Sequence, residues 1–251
     1  MSTKIIVDLH GAVDALRDEI RPDDTLLLLG DLINLIDYRD MQGILVDVFG
    51  RDTVAEIIGL RLKGRFNEAK EVMAKRREGQ EAEIAIKWTG AVNDAYAQVF
   101  EVLPDRTLAI LGNADYPANF GQLAPANVEM VDGKVVELEG LRVGFVGGGL
   151  PTAMGIAGEI TVEEFNAKID AIAEVDVLCS HMPPEIPALV TDTLAGGSGG
   201  STYMVDFIKR TQPQKVFFGH IHQPLVSSMH LGRTHLVNAG YFRRTHRALA
   251  L

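Results

Sequence analysis

Seven side chains in this sequence have the types and spacing to gather metal ions: Asp8, His10, Asp31, Asn113, His181, His220 and His222. They stand at or just past the ends of five short apolar runs. Four of the chain's seven histidines fall in this set, beside two carboxylates and a carboxamide. A lone histidine is ordinarily a packed or surface residue, so the conjunction carries the argument. Asp8 and His10 are two residues apart, as are His220 and His222. If strand geometry persists there, both members of each pair point the same way. The donors are oxygen and imidazole nitrogen, without thiolate. That set suits Mn, Fe, Co, Ni or Zn better than Mg or Ca alone.

A charge count says what such a centre would attract. Two divalent ions less the charges of Asp8, Asp31 and a bridging hydroxide leave an excess of about +1. The excess favours a phosphate anion. Two ions roughly 3.5–4 Å apart can clamp the attacking and leaving oxygens, and coordination makes hydroxide available near neutral pH.

Elements must carry these residues to one place. Lys4–Val7, Thr25–Leu29, Thr107–Leu111, Asp176–Cys179 and Lys215–Phe218 read as buried strands. Continuous apolar runs of this length fit strands covered on both faces. Sites in open α/β sheets form beyond the carboxyl ends of the strands, where these residues stand. Ala12–Ile20 has helical spacing. The segment 38–103 shows no strand pattern and reads as an insertion of two to four helices. Within it, Glu68–Lys87 is rich in helix formers, and Trp88, Ala91, Val92, Ala95, Val99 and Val102 form one apolar helical face. The insertion is a structural cap, a lid or a dimer surface. Asp132-Gly133 predicts a hairpin joining Val128–Val131 to Lys134–Leu138. Thr161-Val162-Glu163-Glu164 predicts a capping box opening a helix to about Glu174. Gly147-Gly148-Gly149 either contacts substrate or relieves crowding. The glycine-rich stretch 196–201 reads as a flexible loop before a helix from Thr202 to Arg210, and two strands flank Leu231-Gly232-Arg233.

The 251 residues accommodate a single α/β domain spanning 1–251. No apolar stretch is long enough to span a bilayer, and the N-terminus lacks a signal-peptide pattern, so a cytoplasmic protein is expected. One cysteine, Cys179, excludes an internal disulfide and a cysteine-cluster zinc site. The net charge of −10 argues against a nucleic-acid partner. Lys75-Arg76-Arg77 and Arg243-Arg244 read as solvated charge.

The order Asp8-Leu9-His10, Gly30-Asp31, Gly112-Asn113, His181 and Gly219-His220-Ile221-His222 resembles the signature of the calcineurin-like metallophosphoesterases. The resemblance implies a four-layer α/β/β/α sandwich of two mixed sheets, interrupted here by the helical insertion. It implies two divalent metal ions. Asp8, His10, Asp31 and His222 would hold the first; Asp31, Asn113, His181 and His220 would hold the second, with Asp31 bridging. Asp31, Asn113 and His181 are the implied catalytic residues, and the reaction is in-line attack of a metal-bridging hydroxide on a phosphate ester.

One departure matters. The family's third block is usually Gly-Asn-His-Asp or Gly-Asn-His-Glu, whose histidine assists the leaving group; here it is Gly112-Asn113-Ala114-Asp115. Losing a positioned acid costs about 10²–10⁴-fold in rate. This points to a small-molecule phosphodiester or another ester with a good leaving group. A metal-binding regulatory protein with weak activity is the second reading; a phosphomonoesterase or nuclease comes after it. Phosphoprotein phosphatases are disfavoured, because no Asp-Arg-Gly element follows Asp31. Asp115 reads as a turn or cap residue. His235 is expected at the surface, with the site as its alternative. A homodimer through the insertion is the protein partner this reading allows.

Overall fold

The structure is a computed structural model and describes residues 2–194, 196–197 and 199–251. In chain order its elements are β1 (Thr3–Ile6), α1 (Val13–Glu19), β2 (Thr25–Leu29), α2 (Ile44–Phe49), α3 (Arg51–Leu62), α4 (Phe66–Arg77), α5 (Glu81–Phe100), β3 (Arg106–Ile110), α6 (Pro117–Leu123), β4 (Val128–Met130), β5 (Val135–Leu138) and β6 (Leu141–Val146). There follow α7 (Val162–Ala171), β7 (Val177–Ser180), α8 (Pro187–Val190), β8 (Thr191–Asp192), β9 (Gly196–Gly197), α9 (Thr202–Thr211), β10 (Lys215–Phe218), β11 (Ser228–Leu231), β12 (Thr234–Asn238), α10 (Phe242–Thr245) and β13 (Leu249–Ala250).

Two mixed sheets face one another. The first has the order β13-β1-β2-β3-β4, parallel throughout except for β13. The second has the order β11-β12-β10-β7-β6-β5, with antiparallel strands at both edges. Alternation along each strand sorts its side chains between layers. Ile5, Leu27, Leu29, Leu108 and Ile110 point inward to meet Val143, Phe145, Val177, Cys179 and Phe217 of the second sheet. Ile6, Leu26, Leu28 and Ala109 point outward, against Leu16 of α1, Val92, Tyr96 and Val99 of α5 and Phe120 of α6. Leu178, Val216 and Phe218 face outward beneath Phe165 and Ile169 of α7 and Phe207 and Ile208 of α9. The helix–sheet–sheet–helix layering of the sequence resemblance is therefore present.

Several local expectations change. Val128–Leu138 is not a hairpin. β4 pairs with β3 in the first sheet, while β5 pairs with β6 in the second, so Asp132-Gly133 carries the chain between sheets. Turn chemistry fixes a reversal but not the partner, and pairing with β3 and β6 places the two strands at the edges of separate sheets. The helix-rich stretch 68–87 is split, because α4 ends at Arg77 and Gly79 takes φ +74 before α5 begins. α2 to α5 occupy most of segment 38–103, with Phe49, Val54 and Ile84 forming a small core of their own. The capping box at Thr161 forms in full, but α7 stops at Ala171. Gly196–Gly197 pair with Thr191–Asp192, so part of the expected loop is a strand; Ser198 lies outside the described residues. Arg243 is half-buried and reaches Asp37; Arg244 is exposed, as expected of solvated charge, and also reaches Asp37. His235 pairs across strands with His230 and stacks on it at 4.7 Å, at the end of β12 remote from Asn238. Among the described residues, no helix is long and apolar enough to cross a membrane.

Candidate metal centre

Five strand ends converge. Asp8 and His10 follow β1, Asp31 follows β2, Asn113 follows β3, His181 follows β7, and His220 and His222 follow β10. β1, β2 and β3 are neighbours in the first sheet, and β7 and β10 are neighbours in the second. Hydrogen bonds stitch the two groups together. The His220 N–H donates to Asp8 Oδ2 at 3.0 Å, and His181 Nδ1 donates to the Leu29 carbonyl at 3.0 Å.

The loops at these ends are not extended strand. Asp8, His10, Asp31 and His220 have φ values of +53°, +41°, +54° and +68°. The strand geometry expected to persist through Asp8–His10 and His220–His222 therefore breaks at these loops. Left-handed backbone at a residue with a Cβ costs roughly 1–2 kcal/mol and clusters where the surroundings over-determine it. Here the His10 N–H donates to Asp31 O and the Gly11 N–H to Leu32 O, both at 2.8 Å. Arg243 adds its own N–H to Asp8 O and Nη1 to His10 O. Glycine permits the crowding. A Cβ on Gly112 would overlap Asp31 Oδ1 and the His181 ring, and one on Gly149 would overlap Asn113 Cβ. Gly149 therefore relieves crowding.

All seven predicted residues come together. Asp8, His10, Asp31 and His222 each offer a ligand atom within 4.8 Å of the others. Asn113 Oδ1 lies 2.8 Å from His220 Nδ1 and 3.0 Å from His181 Nε2. His181 Nε2 is 3.5 Å from Asp31 Oδ1, and His10 Nε2 is 3.6 Å from Asp31 Oδ2. Asp31 thus stands between the two groups.

The donor chemistry fits cations. A carbonyl only accepts, so His181 carries its proton on Nδ1 and presents a bare Nε2 lone pair to Asn113 Oδ1 and Asp31 Oδ1. That lone pair faces two oxygens, of which Asp31 Oδ1 also accepts the Ala114 N–H and Asn113 Oδ1 also lies 2.8 Å from His220 Nδ1. His10 Nε2 and His222 Nε2 are 3.2 Å apart and can share at most one proton. Asp8 Oδ1 is fully buried and has no hydrogen-bond partner. The electrostatics agree. Burial, then the charge of Asp31, pushes the Asp8 carboxyl far above its usual range. Burial pushes Asp31 up to about 7. Burial also pushes His181 and His222 down to about 4 and His220 down to about 3. Neutral histidines and frustrated carboxylates in one desolvated space are what positive ions relieve.

Four further residues shape the centre. Asp115 is fully buried. Its carboxylate accepts the N–H groups of Asp31, Leu32 and Gly112, so it is neither a solvent-facing turn residue nor free to act as an acid. Burial and the charge of Asp31 lift it to about 7 against those three donors. Tyr96 donates its hydroxyl to Asp115 at 3.2 Å. In the sequence only its place four residues after Val92 on the apolar face hinted at a role. Tyr241 stacks on His222 with ring centroids 3.9 Å apart and meets His10 edge-on at 5.4 Å. Arg243 is the fourth. Nothing in the local sequence marks Tyr241 or Arg243, because their contacts with His10 lie across more than 200 residues.

The geometry has parallels. A family model described as calcineurin-like phosphoesterase matches residues 1–224. No curated protein matches the sequence. One solved crystal structure superposes with a TM-score of 0.58 at 17% identity, covering 96% of this chain and 91% of that chain, which speaks for the fold alone. With most of its length inside the family match, and a buried Asp/His/Asp/His cluster that could hold metal at its sheet ends, the chain belongs to the calcineurin-like phosphoesterase family.

Proposed function

We propose that this chain is a metal-dependent phosphoesterase with a two-ion centre, acting on a small-molecule phosphate ester and preferring a diester or another good leaving group. Asp8, His10, Asp31 and His222 would hold one ion, and Asp31, Asn113, His181 and His220 the other. The observation that carries this reading is the convergence of carboxylate, carboxamide and imidazole ligand atoms around Asp31. Bound divalent ions would supply the positive charge that draws in phosphate and a nucleophile from water near neutral pH.

The chain's own residues do the rest. The Leu29 carbonyl fixes the His181 tautomer, keeping Nε2 available as a ligand. The Ala114 N–H orients the Asp31 carboxylate. Tyr241 holds the His222 ring flat against it and limits water on that side. Position 114 presents a methyl group, so no imidazole there protonates the departing oxygen. The substrate must then leave largely unaided, which favours the more acidic leaving group. The same methyl group supports the second reading, a metal-binding regulatory protein of weak activity.

The test is hydrolysis by protein stripped of metal and reloaded singly with Mn, Fe, Co, Ni or Zn. Faster cleavage of bis-p-nitrophenyl phosphate than of p-nitrophenyl phosphate is expected. Equal rates would remove the diester preference. No turnover of either ester by any form that binds metal would sink the enzyme and leave the regulatory reading.

A further inference from the structure

We infer that the helical segment is a working part of the metal centre: Tyr96 of α5, acting through Asp115, is a positioning residue for Asp31. This rests on the two-ion reading above.

Asp115 sits beneath the centre with 0% exposure. Its Oδ2 accepts the N–H of Asp31 at 2.8 Å and of Gly112 at 2.9 Å, and its Oδ1 accepts the N–H of Leu32 at 3.0 Å. Those amides belong to two loops, after β2 and after β3. One carboxylate therefore sets the spacing between the loop bearing Asp31 and the loop bearing Asn113. It also captures amides that the left-handed turn at Asp31, φ +54°, leaves pointing inward. Once the backbone is held, the Ala114 N–H reaches Asp31 Oδ1 at 2.8 Å and fixes the direction of the side chain.

Asp115 is itself oriented from the helical segment. The Tyr96 hydroxyl donates to its Oδ1 at 3.2 Å and accepts the Tyr116 N–H at 2.7 Å. The Tyr96 ring is fully buried, with Phe100 stacked at 5.8 Å and Phe120 edge-on at 5.6 Å. Rotation of the hydroxyl out of line is blocked, so α5 fixes the last partner of the carboxylate. A buried acceptor that loses a partner shifts toward its remaining donors, here the Asp31, Leu32 and Gly112 N–H groups of the two ligand-bearing loops. Partners behind metal ligands of this kind are typically worth 10–100-fold in metal affinity.

The experiment is Mn titration by calorimetry on wild type, Tyr96→Phe, Asp115→Asn and Val99→Ala. Tyr96→Phe keeps the ring and removes only the hydroxyl. Val99→Ala opens a void on the same buried face of α5 without touching the network. Tyr96→Phe is expected to bind Mn about 10-fold or more weakly. Amide exchange at Asp31, Leu32 and Gly112 should accelerate in the same variant. Val99→Ala should lower the unfolding midpoint yet bind Mn like wild type. Wild-type affinity and unchanged amide exchange in Tyr96→Phe overturn the inference while leaving the two-ion reading intact, and this holds even if Asp115→Asn does not fold. A wild-type chain that takes up none of Mn, Fe, Co, Ni or Zn removes the two-ion reading and the inference together.

Discussion

The backbone N–H of Ala114 donates to Oδ1 of Asp31 at 2.8 Å. Position 114 therefore has a structural duty in its main chain, independent of its side chain. The family's usual histidine would add a proton donor to that duty, and alanine keeps only the duty. Without a positioned acid, the rate should fall steeply as the leaving group becomes more basic. A series of aryl phosphodiesters would measure the slope. Ala114→His should flatten it and raise the rate on the poorest leaving group by about 10²-fold or more. A flat dependence in wild type would mean that another group supplies the proton.

Asp31 is the residue on which both halves of the centre meet. Asp31→Asn keeps the shape and the acceptor for the Ala114 N–H but removes the charge. Metal uptake should fall by more than about 100-fold, and hydrolysis with it, because a ligand is worth at least as much as its supporting partners. Inductively coupled plasma analysis after dialysis gives the count. Unchanged metal content and turnover would show that Asp31 does not bridge two ions.

Metal affinity should depend on pH in a stated window. Asp31 titrates near 7 in the metal-free chain because burial disfavours its charge, and Asp8 is raised for the same reason with the charge of Asp31 added. His181, His220 and His222, pushed down to about 4, 3 and 4, are already neutral above pH 5. Protons are therefore displaced from carboxylates and not from imidazoles. The logarithm of the affinity should climb by about one unit per pH unit for each carboxylate displaced, and the share from Asp31 should level off above about pH 7. For the metal-free fold the sign is opposite. The folded chain binds the Asp31 proton more tightly than the unfolded chain, so this group's contribution falls as pH rises from about 4 to about 7. Calorimetry in buffers of different ionisation enthalpy counts the protons; a flat affinity between pH 5 and 7 would refute the assignment.

Arg243 braces the strained loop from the far end of the chain. It reaches His10 O through Nη1 at 2.8 Å and Asp37 Oδ2 through Nε at 3.2 Å. Arg243→Ala should destabilise the fold by about 1.5–3 kcal/mol, the range for hydrogen bonds to a charged group. Burial pushes the Asp37 carboxyl up, but the Arg39 N–H, Arg243, the Asp40 N–H and Arg244 outweigh it and hold the carboxyl below its usual value. Its ionised form is thus favoured by folding. That contribution is present above about pH 4 and fades as pH drops below it. The penalty of Arg243→Ala should shrink in step. Urea midpoints at pH 7 and pH 3.5 compare the two, and an equal penalty at both would place its origin in packing.

The candidate donors and their stations at the strand ends were legible in the amino-acid sequence. Five apolar runs, each ending in a carboxylate, amide or imidazole, could only be strands with a polar rim, since alternation and burial leave such residues no other place. The ordered motifs then carried the family and the layering. Only the tertiary structure decided what holds the rim in shape. Whether Asp132-Gly133 closes a hairpin or crosses between sheets depends on competing partners, β3 for β4 and β6 for β5, which the turn residues do not encode. The left-handed turns at Asp8, His10, Asp31 and His220 are imposed by hydrogen bonds from other loops, against their intrinsic preference. Asp115, Tyr96 and Arg243 read locally as a turn, a helix face and a basic patch, and Tyr241 carries no local signal. They become parts of the centre because folding removes water from them and leaves the metal-bearing loops as the partners for their polar groups.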